Sequence, residues 1–447
     1  MKKNVNLLEG PIFPSLTKLA LPIMATSLVQ MAYNMTDMIW IGRISSNAVA
    51  AVGAAGMYMW LANGLAALAK MGAQVKVAHA IGGSDHDRAV SFAQNSLQLG
   101  IFFGIVYGLA SILLAGPLIG FFNLNSQEVI ADAKIYLAIT CGTVIFSFLS
   151  QILTGIFTAM GNSQTTFTAT AIGLVINIIL DPVLIFGVGP IPEMGVMGAA
   201  IATVFAQLVV AGIFFFHAAR DTYLLKRVRI FAKPDGRSLR EIIKIGLPTC
   251  IQSLIMTSIS MIIARLIAGF GDSAVAVQKV GSQIESISWM TADGFAAAVN
   301  SFVAQNFGAG NKPRVRKGYS CSMKVVLVWG IFCTLLLILC PGPIFKIFIP
   351  EDGLLPLGID YLQILGVSQL FMCIEITTAG AFSGLGRTVP PSIVSVILTG
   401  ARIPMALALS ATPLGLNGVW WSITISSIFK GLVLLFWYIR YSRKNLA

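Results

Sequence analysis

The chain has 447 residues, of which 56% are hydrophobic and only 11% are charged, and its formal net charge is +12. Soluble domains carry about 25% charged residues, so this composition excludes a soluble globular protein and predicts a membrane protein. The basic residues lie mainly in alternate connections between apolar stretches, which excludes a nucleic-acid-binding face as the reason for the positive charge.

Apolar stretches long enough to cross a bilayer recur along the whole chain. They predict twelve transmembrane helices, near 15–41, 48–80, 89–116, 132–159, 166–187, 195–217, 241–268, 274–307, 316–340, 357–384, 390–410 and 414–438. A basic, polar stretch separates the sixth helix from the seventh. We therefore expect an all-α polytopic protein with an N-lobe (1–217), a cytoplasmic linker (218–244) and a C-lobe (245–447).

The distribution of Lys and Arg also predicts the orientation. The N-terminal segment, the 218–244 stretch and the C-terminal tail are all basic, so both termini are expected on the cytoplasmic side of the inner (plasma) membrane. The opening residues MKKNVNLLEG do not resemble a cleavable signal peptide, so the first helix is expected to remain.

Sequence motifs for bound cofactors are lacking. The six cysteines form neither a CxxC pair nor a Cys/His metal spacing, and no Walker sequence occurs. We therefore expect no disulfide framework, no zinc site, no ATP-driven step and no organic cofactor.

The two halves of the chain repeat each other. Leu21-Pro22 matches Leu247-Pro248, and the segment starting at Gly155 (GIFTAMG) matches the one starting at Gly380 (GAFSGLG), at nearly constant spacing. Six helices are an even number, so both copies insert with the same orientation. The repeat predicts two pseudo-symmetric six-helix lobes with a cavity between them.

An acidic side chain is predicted inside the first helix. Asp37 shares one helical face with Gln30, Tyr33 and Asn34, because residues three, four and seven apart lie on the same side of a helix. A carboxylate within a bilayer costs about 2.5–3.5 kcal/mol on insertion scales, so it usually marks a transport pathway or a paired site.

A second acid lies in the fifth helix. Asp181 follows Asn177 by one turn, on the same face, and precedes Pro182. The proline frees the carbonyl of Ile178, and Thr203 of the sixth helix could add a hydroxyl. Asp37, Asn177, Asp181 and Thr203 thus predict a site for H⁺ or Na⁺; buried acids satisfied by local hydrogen bonds are the structural alternative.

The repeat supplies a comparison for these acids. In the second half Asp37 corresponds to Ile263, and the Asn177/Asp181 region corresponds to the vicinity of Arg402 and Ala406. The second half has its own charges within predicted helices: Arg265, Lys279, Glu285, Asp293, Glu375 and Arg402. Two interpretations remain open: Glu285 and Asp293 contact cationic substrates, or Glu285 or Glu375 pairs with Lys279 or Arg402.

These motifs, in this order within duplicated six-helix halves, resemble the multidrug and toxic compound extrusion (MATE) family over essentially the whole chain. The resemblance implies a V-shaped, monomeric exporter that uses H⁺ or Na⁺ to drive out amphipathic organic cations, including antimicrobials, by alternating access. It also implies an N-lobe cation site at Asp37, Asn177, Asp181 and Thr203. Further polar cavity positions are implied at Gln30, Tyr33, Gln151 and Thr154, and we expect Asn34, on the same face as Gln30 and Tyr33, to line the cavity with them.

Two other functions are alternatives to export. A flippase for lipid-linked precursors or polysaccharides should have a strongly cationic cavity, whereas the best-placed polar groups of the first half are acids. An intramembrane aspartyl protease could use Asp37 and Asp181 as a dyad, but Asp181 follows Ile-Ile-Leu and not Gly-x-Gly. The sequence therefore favours a transporter over an enzyme.

Overall fold

A computed structural model describes residues 5–122, 126–221, 224–348 and 353–446 of the chain. Within these ranges the protein is helical and contains no β-strand. The helices are α1 (Ile12–Gly42), α2 (Ser46–Gly82), α3 (His86–Leu113), α4 (Ala115–Gly120), α5 (Gln127–Thr140), α6 (Ile145–Ala159), α7 (Ser163–Phe186), α8 (Gly195–Arg220), α9 (Gly236–Ala268), α10 (Asp272–Gly308), α11 (Lys312–Leu339), α12 (Pro341–Phe348), α13 (Leu355–Gly366), α14 (Gln369–Gly384), α15 (Val389–Gly400), α16 (Arg402–Ser410) and α17 (Leu416–Asn445).

The predicted all-α polytopic fold is confirmed. Over the described ranges, nine helices or continuous helix pairs are long and apolar enough to cross a membrane, and two bent pairs raise the number to eleven. Helix α10 occupies the position of the remaining predicted span, but its polar and charged residues keep it below the same criterion.

Two predicted spans are broken rather than continuous. The axes of α5 and α6 differ by 46°, and those of α13 and α14 by 44°. Each break contains a hydroxyl residue that hydrogen-bonds backward to the backbone: Thr143 to the carbonyl of Ile139 (2.7 Å), and Ser368 to that of Leu365 (2.8 Å). A glycine lies within the first break (Gly142) and directly before the second (Gly366, the last residue of α13). Glycine weakens a helix and such back-bonding bends it, which explains the breaks.

The chain forms two compact units. The first comprises residue 5 and Ala25–Cys250, and the second comprises Asn6–Met24 and residues 251–446. Both boundaries fall inside a helix, shortly after Pro22 in α1 and after Pro248 in α9. Proline removes one intrahelical hydrogen bond, so these are the weaker points of both helices.

The repeat seen in the sequence has structural counterparts. In the first unit α2 packs against α3, α5 and α6, and α7 against α8; in the second, α10 packs against α11, α13 and α14, and α16 against α17. Asp85 caps α3 and Asn311 caps α11, each accepting the backbone N–H three residues later (3.1 and 3.2 Å). The corresponding helices of the two units therefore begin with the same kind of N-cap hydrogen bond.

Close helix contacts recur at equivalent glycines. A Cβ at Gly155 would lie 2.9 Å from the carbonyl oxygen of Lys70, and one at Gly380 would lie 2.6 Å from that of Ala296. Only glycine therefore lets α6 approach α2, and α14 approach α10, at this distance.

The polar stretch before α9 packs within the first unit. The Gln98 side chain donates hydrogen bonds to the carbonyls of Ile230 (2.8 Å) and Ala232 (2.7 Å), and the N–H of Asp235 donates to Asn95 (2.8 Å). Asp235 in turn caps α9, and the Ser238 hydroxyl that bonds to its carboxylate (2.6 Å) holds the pKa of Asp235 below its usual range.

Candidate cation site

The carboxyl group of Asp181 lies inside the first unit, on α7. The amide nitrogen of Asn177 donates a hydrogen bond of 3.0 Å to Oδ1 of Asp181, and both side chains are fully buried. Helix α7 continues past Pro182, which has no N–H to offer the carbonyl of Ile178. The bond across one turn holds the carboxylate in a fixed orientation and leaves its second oxygen, Oδ2, without a hydrogen-bond partner among the described residues.

Helices α1 and α8 bring further oxygen atoms into the first unit's interior. Asp37 on α1 and Thr203 on α8 are buried, and neither Oδ1 of Asp37 nor the hydroxyl of Thr203 has a hydrogen-bond partner in the described part of the chain. The same holds for the Tyr33 hydroxyl, one turn before Asp37. Gly198 permits the contact between α8 and α7, because a Cβ there would collide with the backbone of Leu184.

These groups interact with one another. Asp37 interacts electrostatically with Asp181, and Tyr33 with both acids, while the Tyr33 hydroxyl faces that of Thr203. Tyr136 of α5, which was not singled out from the sequence, is buried and also interacts with both acids. Its only sequence signal is the match of the segment starting at Ala133 (AKIYL) with the one starting at Gly358 (GIDYL), and this match carries no chemical information.

The resulting cluster suits a small hard cation. Five buried oxygen atoms lack a hydrogen-bond partner within the described ranges: Tyr33 OH, Asp37 Oδ1, Asn177 Oδ1, Asp181 Oδ2 and Thr203 Oγ1. Neither acid forms an ion pair with a described residue. Carboxylate, amide and hydroxyl oxygens are ligands for Na⁺-like hard ions, and two adjacent carboxyls can instead share a proton. No group of three or more His, Cys, Asp or Glu side chains suited to a metal occurs in the described residues.

The other polar residues predicted in the first half do not join this cluster. Gln30 and Asn34 are exposed on α1. Gln151 donates a hydrogen bond to Asn63 (2.9 Å), and the Thr154 hydroxyl donates to the carbonyl of Ser150 (2.8 Å). Their assignment to a substrate cavity stays a prediction.

In the second unit, Glu285 is buried and Asp293 is exposed. Glu285 accepts hydrogen bonds from the Tyr361 hydroxyl and from Gln369. Contact of Glu285 and Asp293 with substrate also stays a prediction. Glu375 forms its ion pair with a residue that the sequence reasoning missed, Lys430 of α17; a lysine inside a long apolar helix was the available signal.

Comparison with known proteins identifies relatives along the whole chain. The MatE family profile matches residues 22–183 and 248–408. The probable multidrug resistance protein NorM of Thermotoga maritima is 32% identical over 432 residues, covering 95% of this chain and 91% of that protein. The multidrug export protein MepA of Staphylococcus aureus is 23% identical over 419 residues (94% and 91%), and the FAD transporter of Shewanella oneidensis is 24% identical over 436 residues (97% and 95%).

Solved structures share the fold. A MATE protein crystallised in a bent conformation superposes with a TM-score of 0.91 at 24% identity, covering 99% of this chain and 98% of the other. A transporter of the MOP superfamily from Pyrococcus furiosus gives the same TM-score at 23% identity, with the same coverage of both chains.

The helical membrane fold and these relatives define a multi-pass membrane transporter, which is not an enzyme. The chain belongs to the MatE family, whose profile covers matching segments in both halves of the repeat.

Proposed function

We propose that this protein is a secondary active efflux transporter that exports small amphipathic organic cations, including antimicrobials, in exchange for H⁺ or Na⁺. The observation that carries this proposal is the cluster of buried oxygen atoms around Asp37 and Asp181 that have no hydrogen-bond partner among the described residues. Two carboxylates without a basic partner require a positive charge from outside the protein when they are ionised.

Each residue of the cluster has a role in this proposal. Asn177 fixes the orientation of Asp181. Pro182 has no N–H, so the backbone carbonyl of Ile178 is free of its usual helical hydrogen bond and adds another oxygen. The hydroxyls of Tyr33 and Thr203 complete an oxygen lining beside Asp37. A bound H⁺ or Na⁺ would supply the charge that neutralises the two carboxylates. When that charge leaves, the two buried carboxylates are again uncompensated, which raises the free energy of the state that buries them. Occupancy of the site can therefore shift the equilibrium between the two access states.

The relatives support the substrate class. Two of them are named for multidrug resistance or multidrug export, while a third is named as an FAD transporter. We further propose that the protein acts as a monomer in the inner (plasma) membrane, with both termini in the cytoplasm. The basic residues near the termini and in the 218–244 stretch support this orientation.

The test is ethidium transport in proteoliposomes under an imposed pH gradient or an imposed Na⁺ gradient, applied one at a time. We expect one gradient to drive uphill dye transport by the wild-type protein. Asp37→Asn and Asp181→Asn should both reduce this transport to the level of protein-free liposomes. Asp360→Asn, which changes an acid whose carboxylate hydrogen-bonds to Asn417 at the surface, is the matched control and should transport normally.

Undiminished transport by both site variants at equal protein content would refute the proposed coupling site. FAD loaded in place of ethidium tests the anionic alternative. Gradient-driven movement of FAD without movement of ethidium would refute the proposed substrate class.

A further inference from the structure

The second unit contains an ion pair in its interior. The Nζ atom of Lys430 on α17 lies 3.0 Å from Oε2 of Glu375 on α14, and the two side chains are only 5% and 11% exposed. A buried pair of this kind costs desolvation energy, and removal of either partner leaves an uncompensated charge. The pair is therefore a fixed feature of the packing of α14 against α17.

Two more charged groups belong to the same network. The guanidinium of Arg402 donates hydrogen bonds to the hydroxyls of Ser426 (2.6 Å) and Ser427 (3.0 Å), and it interacts electrostatically with Glu375 and Glu285. Glu285 is buried on α10. The network thus holds two carboxylates, one guanidinium and one ammonium, whose formal charges cancel.

The repeat relates this network to the cation site of the first unit. Helices α7 and α8, which carry Asp181 and Thr203, correspond to α15–α16 and α17, which carry Arg402 and Lys430. In the first unit the acids have no basic partner among the described residues. In the second unit, the corresponding helices carry basic side chains, Arg402 and Lys430, that interact with the acids.

We propose that Lys430 is a tethered cation: its ammonium occupies the place that a transported ion would take beside Glu375. A covalently attached ammonium cannot leave when the access state changes, so the Glu375–Lys430 pair keeps the same charge throughout the cycle. This inference rests on the proposed ion exchange in the first unit and excludes Glu375 from that exchange.

The groups that face the pair from neighbouring helices are few. Among the residues that the structure describes, Arg402 on α16 is the other cation that interacts electrostatically with Lys430. Glu285 on α10 reaches the pair through Arg402, and the Tyr319 hydroxyl of α11 hydrogen-bonds to Thr378 (3.0 Å), one turn beyond Glu375 on α14. None of them can replace the ammonium, because Arg402 already bonds to two serines and the others are acidic or neutral.

The experiment measures the thermal unfolding midpoint of the full chain in detergent, in an Asp37→Asn/Asp181→Asn background that removes the acids of the first unit. Lys430→Met in this background should lower the midpoint at about pH 8 by about 5 °C or more, because Glu375 is left without its partner. Acidification to about pH 5, or replacement of choline by Na⁺ at constant ionic strength, should restore the midpoint by placing H⁺ or Na⁺ beside Glu375.

Three further variants complete the test. Lys430→Met/Glu375→Gln lacks both charges, so its unfolding midpoint should show neither the pH dependence nor the Na⁺ dependence of Lys430→Met. Lys430→Arg keeps the positive charge and should behave as the background does. Glu375→Gln alone leaves the ammonium unpaired and should be stabilised by rising pH, the opposite direction. It keeps the proposal testable if Lys430→Met does not fold.

The proposal is overturned if Lys430→Met and the background have the same pH and Na⁺ profiles. It is also overturned if Lys430→Met/Glu375→Gln regains stability at low pH or in Na⁺ as Lys430→Met does. A third contrary result would be that Glu375→Gln is not stabilised at high pH. These results do not depend on transport by the first unit, which the Asp37 and Asp181 variants test separately.

Discussion

Asn177 donates a hydrogen bond of 3.0 Å to one carboxylate oxygen of Asp181, one turn further along α7, and leaves the other oxygen buried without a hydrogen-bond partner in the described structure. The amide oxygen of Asn177 is unpartnered in the same way. Since the bond uses only one oxygen of Asp181, it orients the acid without satisfying it. This geometry supports the cation site that we propose.

Replacement of Asn177 should therefore weaken ion binding more than it affects folding. We expect Asn177→Ala to raise the half-saturating concentration of the driving ion by about 10- to 100-fold, the usual effect of losing an orienting partner. The measurement is the ion dependence of dye transport in proteoliposomes. Asn417→Ala removes a similar amide–carboxylate bond at the surface (3.2 Å to Asp360) and should leave this dependence unchanged.

The repeated glycine contacts predict a stability effect in each unit. Gly155→Ala and Gly380→Ala should each destabilise the protein by about 1–3 kcal/mol, because the added methyl group meets a backbone carbonyl of α2 or α10. Gly212→Ala on α8 is the control: the added Cβ would meet no described atom of another helix within 4 Å, and alanine favours a helix. Thermal unfolding midpoints of the three variants check this, and a loss of stability in Gly212→Ala equal to the others would contradict it.

Stability should depend on the ionisation of Asp235. Hydrogen bonds from Ser238 and from backbone N–H groups lower the pKa of this carboxyl in the folded state. A lowered folded-state pKa stabilises the protein above the unfolded-state value, and this contribution is lost as pH falls through the folded-state value. We expect Asp235→Asn to unfold at a lower temperature than wild type at about pH 7, with the difference shrinking towards about pH 3. An equal difference at both pH values would exclude this explanation.

A cluster of ion pairs joins α9 to α2 and α3. Glu241 lies 2.6 Å from Lys76 and 3.2 Å from Arg88, and all three side chains are partly exposed. Glu241→Gln should therefore cost less than about 1 kcal/mol, and the loss should shrink at high salt. Unfolding midpoints at low and high NaCl measure this effect. A salt-independent loss would show that Glu241 acts through packing and not through charge.

Much of the fold follows from local properties of the sequence. Long apolar stretches specify membrane helices because an unpaired backbone group is costly in lipid, and repeated motifs reveal the duplication. The helical face shared by Asn177 and Asp181 was equally predictable, because their spacing alone fixes it. The bends at Thr143 and Ser368 were missed, since back-bonding hydroxyls are common in unbroken helices as well.

The sequence by itself determined the all-helical membrane fold and the two homologous halves. It also determined that Asp37 and Asp181 lie within membrane helices, where facing lipid would be costly for an acid. Only the tertiary structure decided which side chains interact: that Tyr136 lies within electrostatic reach of Asp37 and Asp181, and that Lys430 pairs with Glu375. Helical periodicity gives the face on which a residue lies, but the partner across a helix interface depends on how closely and at what rotation two helices pack. Those quantities arise from contacts between residues far apart in the chain, which local patterns do not encode.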